Sequence, residues 1–379
     1  MEGKRKEIQK SKYGVSENRS KLLPQITVIA GYNNNFDPPV SVTDGSSYGV
    51  PYNITKTLQH TANAGLEMQM PLFNQTLYTS MSIAKVMEEI SRLSYGKARE
   101  DIIMQISKMY YLGQVTAEQI VLIKANITRL EELRDITQAF FDNGMSMEVD
   151  LKRVNINLEN LKVQYDNAQA MMKQQLNMLK YIMDYPAEKE FVLTPVNTDS
   201  ITTVALTGLS ENIYELQLSQ SQVQLAEKQK KIISNGYIPS LSLTGSWRYA
   251  AYTDKGYHWF HSGPSNHWFR SYGLGLTLRI PIFDGLDKTY KIKKAMIDIE
   301  NSKLAWENAR KSLQTQYLNA VNDLMNNQRN FKKQKDNYLL AEDVYTVTSD
   351  RYREGIASMT EVLQDCLLYT SPSPRDGAT

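Results

Sequence analysis

The sequence predicts an α+β fold in which two copies of one unit each join a pair of amphipathic strands to long helices. The first observation is a repeat, because Leu-Pro-Gln-Ile at residues 23–26 and Met-Pro-Leu-Phe at 70–73 return as Ile-Pro-Ser-Leu at 238–241 and Ile-Pro-Ile-Phe at 280–283. The second is an alternation of apolar and polar residues beside each motif, which is typical of half-buried strands. The third is the long helical stretch that follows each strand pair. A repeat of this length indicates a duplicated architecture.

The repeat divides the chain into four segments. The first repeat is predicted at residues 1–184, a mixed connector with a helix at 185–235, and the second repeat at 236–366. We attribute residues 367–379, which carry a Ser-Pro-Ser-Pro run, to a foreign junction rather than to a natural tail. The predicted elements are, in order, the end of a helix, a strand pair at 22–74, a helical hairpin at 75–184, a strand pair at 238–284, a helix at 286–354 and a truncated helix at 357–366.

The predicted strands carry apolar side chains on one face and polar side chains on the other. Residues 66–70, for example, read Leu-Glu-Met-Gln-Met. Each strand is about 9–12 residues long, which is the length that crosses a bilayer when the strand is tilted. The polar face, which would line the lumen of a barrel, includes Glu67, Arg248 and Arg279. A soluble β-sandwich is the alternative interpretation of the same alternation.

The predicted helices are long and end at glycine. No proline occurs between Leu77 and Phe141, and apolar residues recur there every three or four positions. From Leu151 onwards the apolar steps alternate between three and four residues, which is the heptad pattern of a coiled coil. Gly144 and Gly355 stand at equivalent positions after the long helices, and glycine is the residue that most often ends a helix in the left-handed conformation. Both glycines are therefore predicted to form the tips of helical hairpins.

Composition excludes several classes of protein. Lys plus Arg is 43 and Asp plus Glu is 41, so the net charge of +2 gives no argument for nucleic-acid binding. The single cysteine, Cys366, excludes a disulfide framework. No apolar run of about 18 residues occurs, and residues 1–20 show no signal peptide. The chain is therefore predicted to lack a transmembrane helix.

A membrane sheet of four strands per chain would have to associate. Eight strands is about the smallest number that closes a barrel. Open sheet edges in lipid would leave N–H and C=O groups without hydrogen bonds, at several kcal/mol each. Three copies would supply twelve strands, an even and permitted number. In a soluble domain, helices would have to cover the edges instead.

The linkers at residues 33–60 and 250–270 are predicted to be loops. The second linker is rich in aromatic residues, which suit a membrane interface. A metal site is one interpretation of the three histidines in the second linker, His258, His261 and His267, and interfacial loop residues are the interpretation that we favour. The four histidines are His60, His258, His261 and His267.

No motif for catalysis or for a cofactor occurs. The sequence contains neither a His-Glu-x-x-His zinc motif, nor a phosphate-binding glycine loop, nor a Gly-x-Ser-x-Gly elbow. Asp150 and Glu361 could form a catalytic pair by charge alone. Solvated charges near a helix start and a gating role are the two stronger interpretations. We therefore expect no enzyme activity, no bound metal and no cofactor.

The order and spacing of these features resemble the outer-membrane efflux protein family, the TolC-like channel-tunnels. The resemblance covers about residues 1–366 and includes two tip motifs, Phe-Asp-Asn-Gly at 141–144 and Tyr-Arg-Glu-Gly at 352–355. It implies a homotrimer with a twelve-stranded outer-membrane β-barrel continued by a periplasmic α-helical coiled-coil barrel. It also implies a passive exit duct of a tripartite efflux or type I secretion system. Such a duct contacts outer-membrane lipid and docks with a periplasmic adaptor and an inner-membrane pump.

The resemblance also implies roles for residues near the tips. Acidic residues that help to close the tunnel match Asp150 and Glu361, each six residues after a tip glycine. A further acidic residue is often found three positions on, where this chain has Gln364. Tyr352 matches a tyrosine that links neighbouring helices, although Ala357 stands where its basic partner is expected. Asp150, Glu361 and Tyr352 are therefore the candidate residues of a periplasmic constriction.

Two further expectations follow from the resemblance. A first helix is expected to begin before residue 1, and the last helix is expected to continue past Cys366, so the chain is predicted to be a fragment. The alternative function, from a different class, is a soluble coiled-coil scaffold whose small β-domain binds partner helices. A membrane location separates the two.

Overall fold

The computed structural model confirms a helix-rich α+β fold. The structure describes residues 1–44, 49, 51–56, 58–195, 208, 210, 212–253 and 268–370. Within these residues the elements are α1 (Glu2–Ser20), β1 (Gln25–Asn34), β2 (Val40–Asp44), β3 (Tyr52–Lys56), β4 (His60–Phe73), α2 (Gln75–Asp142), α3 (Glu148–Ile182), α4 (Tyr214–Asn235), β5 (Ser240–Thr253), β6 (Trp268–Arg279), α5 (Asp287–Arg353) and α6 (Met359–Thr370).

Four strands form one antiparallel sheet in the order β1-β4-β5-β6. The two repeats therefore pair with each other through β4 and β5, and β1 and β6 lie at the edges. Leu66 pairs with Trp247, and the next row pairs Glu67 with Ser246. Because cross-strand partners share a face and successive residues alternate, the first row belongs to the apolar face and the second to the polar face. The predicted alternation thus continues from β4 into β5.

The linker at residues 33–60 is not a simple loop, and that interpretation was wrong. Its β2 and β3 form a separate antiparallel hairpin, in which Val42 pairs with Ile54. The strands are five residues each, too short for a clear alternation among the neighbouring Asn and Pro residues. At the other end of the sheet, β6 stops at Arg279 rather than at residue 284. Pro281 follows, and proline has no N–H for the strand ladder.

The two longest helices begin at equivalent side-chain caps. The side-chain oxygen of Asn74 accepts hydrogen bonds from the N–H groups of Thr76 at 3.0 Å and Leu77 at 3.3 Å. Asp284 precedes α5 and accepts two backbone N–H groups, both at 3.2 Å. All of these N–H groups except that of Leu286, which lies just before α5, are donors that a helix N-terminus leaves free. Each strand motif is therefore joined to its helix by a fixed turn.

The chain folds as two compact units. Unit 1 comprises Met1–Gly96 and Glu211–Arg310, and unit 2 comprises Lys97–Ser210 and Lys311–Thr379. Unit 1 holds the four-stranded sheet, and its α4 packs on the start of α2. There the buried Asn235 donates to the buried Thr79 hydroxyl at 2.5 Å. The predicted boundaries of the repeats remain a prediction, because compactness follows contacts and not sequence similarity.

A buried cluster in unit 2 joins four helices. Val154 and Val362 are fully buried in it, and at about 25 cal/mol per Å² such side chains stabilise the fold by about 1.5–3 kcal/mol each. The face of α3 that the heptad spacing indicates is the buried face. The members of the cluster are Leu130 and Leu133 of α2, Val154 and Leu158 of α3, Tyr352 of α5, and Met359, Val362, Leu363 and Cys366 of α6.

The last described helix, α6, continues to Thr370. The first residues of the segment at 367–379 are therefore helical, whereas 371–379 lie outside the described residues. The histidines at His258, His261 and His267 lie outside them as well. In the part of the chain that the structure describes, no helix has both the length and the apolar character that crossing a bilayer requires.

Candidate functional site

The two hairpin tips, at Gly144 and Gly355, have the same backbone. Their φ angles are 73° and 77°, a conformation that glycine adopts without steric cost. The N–H of Gly144 donates to the Phe141 carbonyl at 2.9 Å, and the N–H of Met145 donates to Phe140 at 2.8 Å. The second tip repeats both bonds at 2.9 and 2.8 Å. This pair of bonds is the Schellman motif, which satisfies the last carbonyls of a helix.

The helix after the second tip begins with a capping box. Glu361 accepts a hydrogen bond from the Ser358 N–H at 3.0 Å, and the Ser358 hydroxyl accepts the Glu361 N–H at 3.3 Å. This reciprocal pair satisfies two free donors at the start of α6. The Ser-x-x-Glu spacing was a sufficient sequence signal for it. The Glu361 carboxylate, a candidate constriction residue, is therefore also a structural part of its own helix.

The helix after the first tip begins differently. Met147 occupies its N-cap position, with φ −87° and ψ 148°, and makes no side-chain cap. A hydrogen bond from Lys152 at 2.8 Å lowers the pKa of the Glu148 carboxyl. Asp150 is half-buried and lies 3.5 Å from Arg153. Both acids lie in the first turn, where the helix dipole favours negative charge.

Arg153 connects the two tips. Its Nη1 donates to the Thr360 hydroxyl at 3.3 Å and lies 3.5 Å from the Asp150 carboxylate. Thr360 directly precedes Glu361, so Arg153, a residue that sequence reasoning missed, ties the helix of Asp150 to the helix of Glu361. No local pattern could have found Arg153, because its partner is more than 200 residues away in the chain.

Tyr352 links α5 to α2 within one chain. Its side chain is buried, its ring centroid lies 5.6 Å from that of Phe140, and its hydroxyl lies 3.3 Å from the Thr137 hydroxyl. Thr137 donates its own proton to the Leu133 carbonyl at 2.7 Å, so Tyr352 must be the donor to Thr137. Ala357 packs at the border of the same cluster.

The thiol of Cys366 is part of this apolar cluster. Burial raises the pKa of Cys366 to about 11, and Arg129 partly opposes that shift. Burial, with the Cys366 thiol beside it, also raises the pKa of Tyr345. The Arg129 guanidinium lies 5.9 Å from the Tyr345 ring centroid. A neutral thiol in such a setting is a packing group and not a nucleophile.

The polar face of the sheet carries an ion pair between Glu67 and Arg248. The pair is diagonal, because the residue directly opposite Arg248 is Gly65. A Cβ on Gly65 would lie 2.5 Å from the Trp247 carbonyl, so glycine leaves the space across which the arginine reaches. Arg279 is not part of this pair, since it ends β6 opposite Ser240.

The described residues contain no group of three His, Cys, Asp or Glu side chains that could hold a metal ion. His60 begins β4, and its Nδ1 lies 2.8 Å from the Tyr32 hydroxyl in a stacked pair of rings. This histidine belongs to the apolar face of the sheet rather than to a ligand set.

A profile of the outer membrane efflux proteins matches residues 2–183 and 195–365. The chain belongs to the outer membrane efflux protein family. The repeat, the paired strand motifs and the two tips are thus the features of an outer membrane efflux protein. The predicted family and its outer-membrane location are confirmed.

Individual relatives agree with this assignment. The outer membrane protein TolC of Vibrio cholerae is 21% identical over 316 residues, which is 82% of this chain. The chain spans about two thirds of that relative, 66% of its length. Among solved structures, CusC superposes with a TM-score of 0.79 at 15% identity, covering 97% of this chain and 82% of CusC. The open state of the Neisseria gonorrhoeae MtrE outer membrane channel gives 0.75 at 17%, covering 97% and 80%. At these identities the superpositions establish the fold.

Proposed function

We propose that the chain is one subunit of a passive outer-membrane efflux duct built from three copies. The observation that carries this proposal is the sheet of unit 1. One face is apolar, the other is polar, and the edge strands β1 and β6 are exposed along their whole length. An isolated sheet of this kind needs both a solvent for its apolar face and partners for its edges.

The apolar face fits lipid better than it fits a soluble domain. Val28, Leu274 and Leu276 are 74%, 79% and 67% exposed. A soluble protein rarely exposes a continuous apolar surface of this size, and the scaffold alternative would require helices to cover it. The polar face, with Glu67 and Arg248, would instead line a water-filled lumen. The same alternation that made the strands recognisable thus supports a barrel wall.

Three copies supply what the edges require. Four strands from each chain give twelve, an even number that leaves every edge strand paired between copies. In a cyclic arrangement, β1 of one copy pairs with β6 of the next. A two-fold dimer would instead pair β1 of one copy with β1 of the other, and it would contain only eight strands.

The long helix α5 supports association of the same copies outside the membrane. Its exposed residues Ile297, Leu304, Leu318, Met325 and Leu339 are spaced by seven or fourteen positions. Heptad spacing of exposed apolar residues is the pattern of a helix that packs against another helix. Lys311 and Lys332 occupy the two intervening heptad positions. In a trimer this stripe would face a helix of the neighbouring copy.

The tip residues fit a role in ion preference and constriction. In a trimer, Asp150 and Glu361 would each occur three times around the axis, and rings of carboxylates favour cations. Arg153 would hold Asp150 to Thr360, the residue that precedes Glu361. Transport through such a duct needs no catalysis, so the energy would come from an inner-membrane pump joined through a periplasmic adaptor that docks at the tips.

Cross-linking tests the trimer. One cysteine is placed in β1 and another in β6, in a Cys366→Ser background. Several pairs of positions are tested, because the register between β1 of one copy and β6 of the next is unknown. We expect disulfide-linked dimers and trimers in the outer-membrane fraction, and nothing larger. Variants with a cysteine in β1 alone, or in β6 alone, serve as matched controls and should remain monomeric on a denaturing gel.

Two results would refute this proposal. Efficient cross-links in the variants with cysteine in β1 alone would indicate a two-fold dimer. Recovery of the exported protein in the soluble fraction, without any detergent-stable oligomer, would favour the scaffold alternative.

A further inference from the structure

Arg270 lies on the face of the sheet where a charge is least expected. It pairs with Tyr249, whose partner on β4 is Ala64, and this row belongs to the apolar face. No other Arg, Lys, Asp or Glu lies on the apolar face of the described sheet. Sequence reasoning missed Arg270 because it assigned the residue to the loop at 250–270, and that boundary was wrong, since β5 runs to Thr253 and β6 begins at Trp268. A lone arginine among leucine, valine and aromatic side chains needs a physical reason.

The position of Arg270 along the strand supplies part of that reason. Arg270 is two residues after Trp268, at the end of the sheet that is remote from the attached helices. From Trp268 to Leu278, a rise of about 3.3 Å per residue and a tilt of about 40° give a height of roughly 25 Å, which is that of the apolar band of a membrane barrel. Arg270 would then lie near the outer boundary of the band, where an arginine can reach the headgroups.

Aromatic side chains surround this level of the apolar face. The Arg270 guanidinium carbon lies 5.8 Å from the ring centroid of Tyr272. On β5, Trp247 and Tyr249 lie next to each other with ring centroids 5.8 Å apart. Rings that present an apolar body and a polar tip are enriched where a barrel meets the headgroups. The aromatic cluster and Arg270 therefore mark one and the same level of the sheet.

We propose that Arg270, with Tyr249, Trp268 and Tyr272, forms a binding site for the phosphate-bearing headgroup of an outer-leaflet lipid. The proposal rests on the proposed function, because it requires the strands to lie in the membrane. A planar guanidinium donates two parallel hydrogen bonds to a phosphate, and the aromatic rings pack against the adjoining acyl and glycerol groups. No described carboxylate forms an ion pair with Arg270, so its charge is available to an external anion.

The opposite face provides a matched control. Arg279 lies on the same strand, at the other end and on the polar face. It would be separated from lipid by the barrel wall. An Arg279→Gln variant removes the same charge from the same protein and should leave the lipid preference unchanged.

Quenching of tryptophan fluorescence by brominated lipids tests the site. The membrane-assembled protein is reconstituted in vesicles that contain either brominated phosphatidylglycerol or brominated phosphatidylcholine, and the relative affinity is obtained from mixtures of the two. We expect the anionic lipid to be preferred about fivefold, as one favourable charge near a membrane surface provides. Arg270→Gln should abolish the preference, and Arg270→Lys should retain most of it. Inorganic phosphate in the buffer should not compete.

The outcomes separate this inference from the proposed function. Quenching without any headgroup preference, or an equal loss of preference in Arg279→Gln, would overturn the lipid site while leaving the strands in the membrane. Loss of the preference on addition of inorganic phosphate would show a soluble-anion site and would overturn the lipid assignment. An absence of quenching by both lipids would refute the membrane sheet itself.

Discussion

The two hairpin tips share a backbone but not the chemistry of the helix that follows. Gly144 and Gly355 end their helices with the same two hydrogen bonds and nearly the same φ. After the second tip, Glu361 and Ser358 cap α6 reciprocally. After the first tip, Met147 supplies no cap, and the acids are held by cations instead. Duplication has therefore kept the turn and changed the way in which each copy holds its negative charge.

This difference separates structural from functional roles. The charge of Glu361 can be removed without removing its cap, because glutamine also completes a capping box. Asp150 has no such role, since its carboxylate contacts a side chain that reaches the other repeat. The shared cluster below the tips is asymmetric as well, because Tyr352 is buried whereas its counterpart Phe141 is 38% exposed.

The largest expected effect compares Tyr352 with Phe141. Tyr352→Ala removes a buried aromatic ring and should lower the free energy of local opening at the tips by about 3–5 kcal/mol. Phe141→Ala should lower it by about 1 kcal/mol or less, because the ring is partly exposed. Hydrogen exchange of the tip peptides, followed by mass spectrometry, measures both. Tyr352→Phe is the control and should cost about 1 kcal/mol for the lost hydrogen bond. Equal effects of the two alanine variants would show that the cluster is symmetric.

Cys366 and its counterpart Asn155 should differ in reactivity. Asn155 is exposed on α3, whereas Cys366 is buried and its pKa is raised to about 11. At pH 8, alkylation of Cys366 should be at least about 100-fold slower than that of Asn155→Cys in a Cys366→Ser background. The rate for Cys366 should keep rising up to about pH 11. Equal alkylation rates at the two positions would contradict the burial of this helix.

The raised pKa of Cys366 also makes the stability of the folded protein depend on pH. The folded state holds the thiol proton more tightly than the unfolded state, whose thiol has a pKa of 9.0. The resulting stabilisation is complete below pH 9 and is lost as the pH rises from 9 to about 11. Denaturation measured at a series of pH values should show this loss of stability between pH 9 and about pH 11 in the unaltered protein, but not in the Cys366→Ser variant.

The caps should respond in opposite directions. Ser358→Ala removes the hydroxyl of the capping box and should destabilise the start of α6 by about 1 kcal/mol. Met147→Ser introduces a hydroxyl at a position whose backbone already has the N-cap conformation, and should stabilise α3 by about 0.5–1 kcal/mol. Exchange rates of the first-turn amides of each helix report the change. A destabilising Met147→Ser would mean that the first tip needs its methionine for packing.

The smallest effect is expected at Arg153. Arg153→Gln breaks its contacts with Asp150 and Thr360, and since the pair is half exposed the loss should be below about 1 kcal/mol. Lys162→Gln, which breaks a local pair with Glu159 on the same helix, is the matched control. Greater exchange in α6 after Arg153→Gln, but not after Lys162→Gln, would show that Arg153 joins the tips.

Local sequence patterns predicted the elements well, and long-range contacts were beyond their reach. Period-2 alternation found β4 and β5, and the heptad steps found the buried face of α3, because both depend on neighbours within one element. The Arg153–Thr360 bond and the pairing of β4 with β5 join residues far apart in sequence, which no periodicity encodes. The hairpin of β2 and β3 was missed because its strands are too short for alternation to stand out.

The charged residues of the sheet show the same limit. Glu67, Arg248 and Arg279 were assigned to the polar face by alternation alone, whereas Arg270, which breaks the alternation of β6, was assigned to the loop at 250–270. The register of β5 and β6 is what places Arg270 beside Tyr249. Exceptions to a pattern carry functional information only after the register is known.

Planar-bilayer recording tests the proposed duct most directly. The membrane-assembled protein should give discrete conductance steps with a preference for cations. In the double variant Asp150→Asn and Glu361→Gln the steps should persist, and the reversal potential in a salt gradient should move towards zero as the cation preference falls. An assembled, detergent-stable protein that gives no conductance steps under any condition would contradict the account.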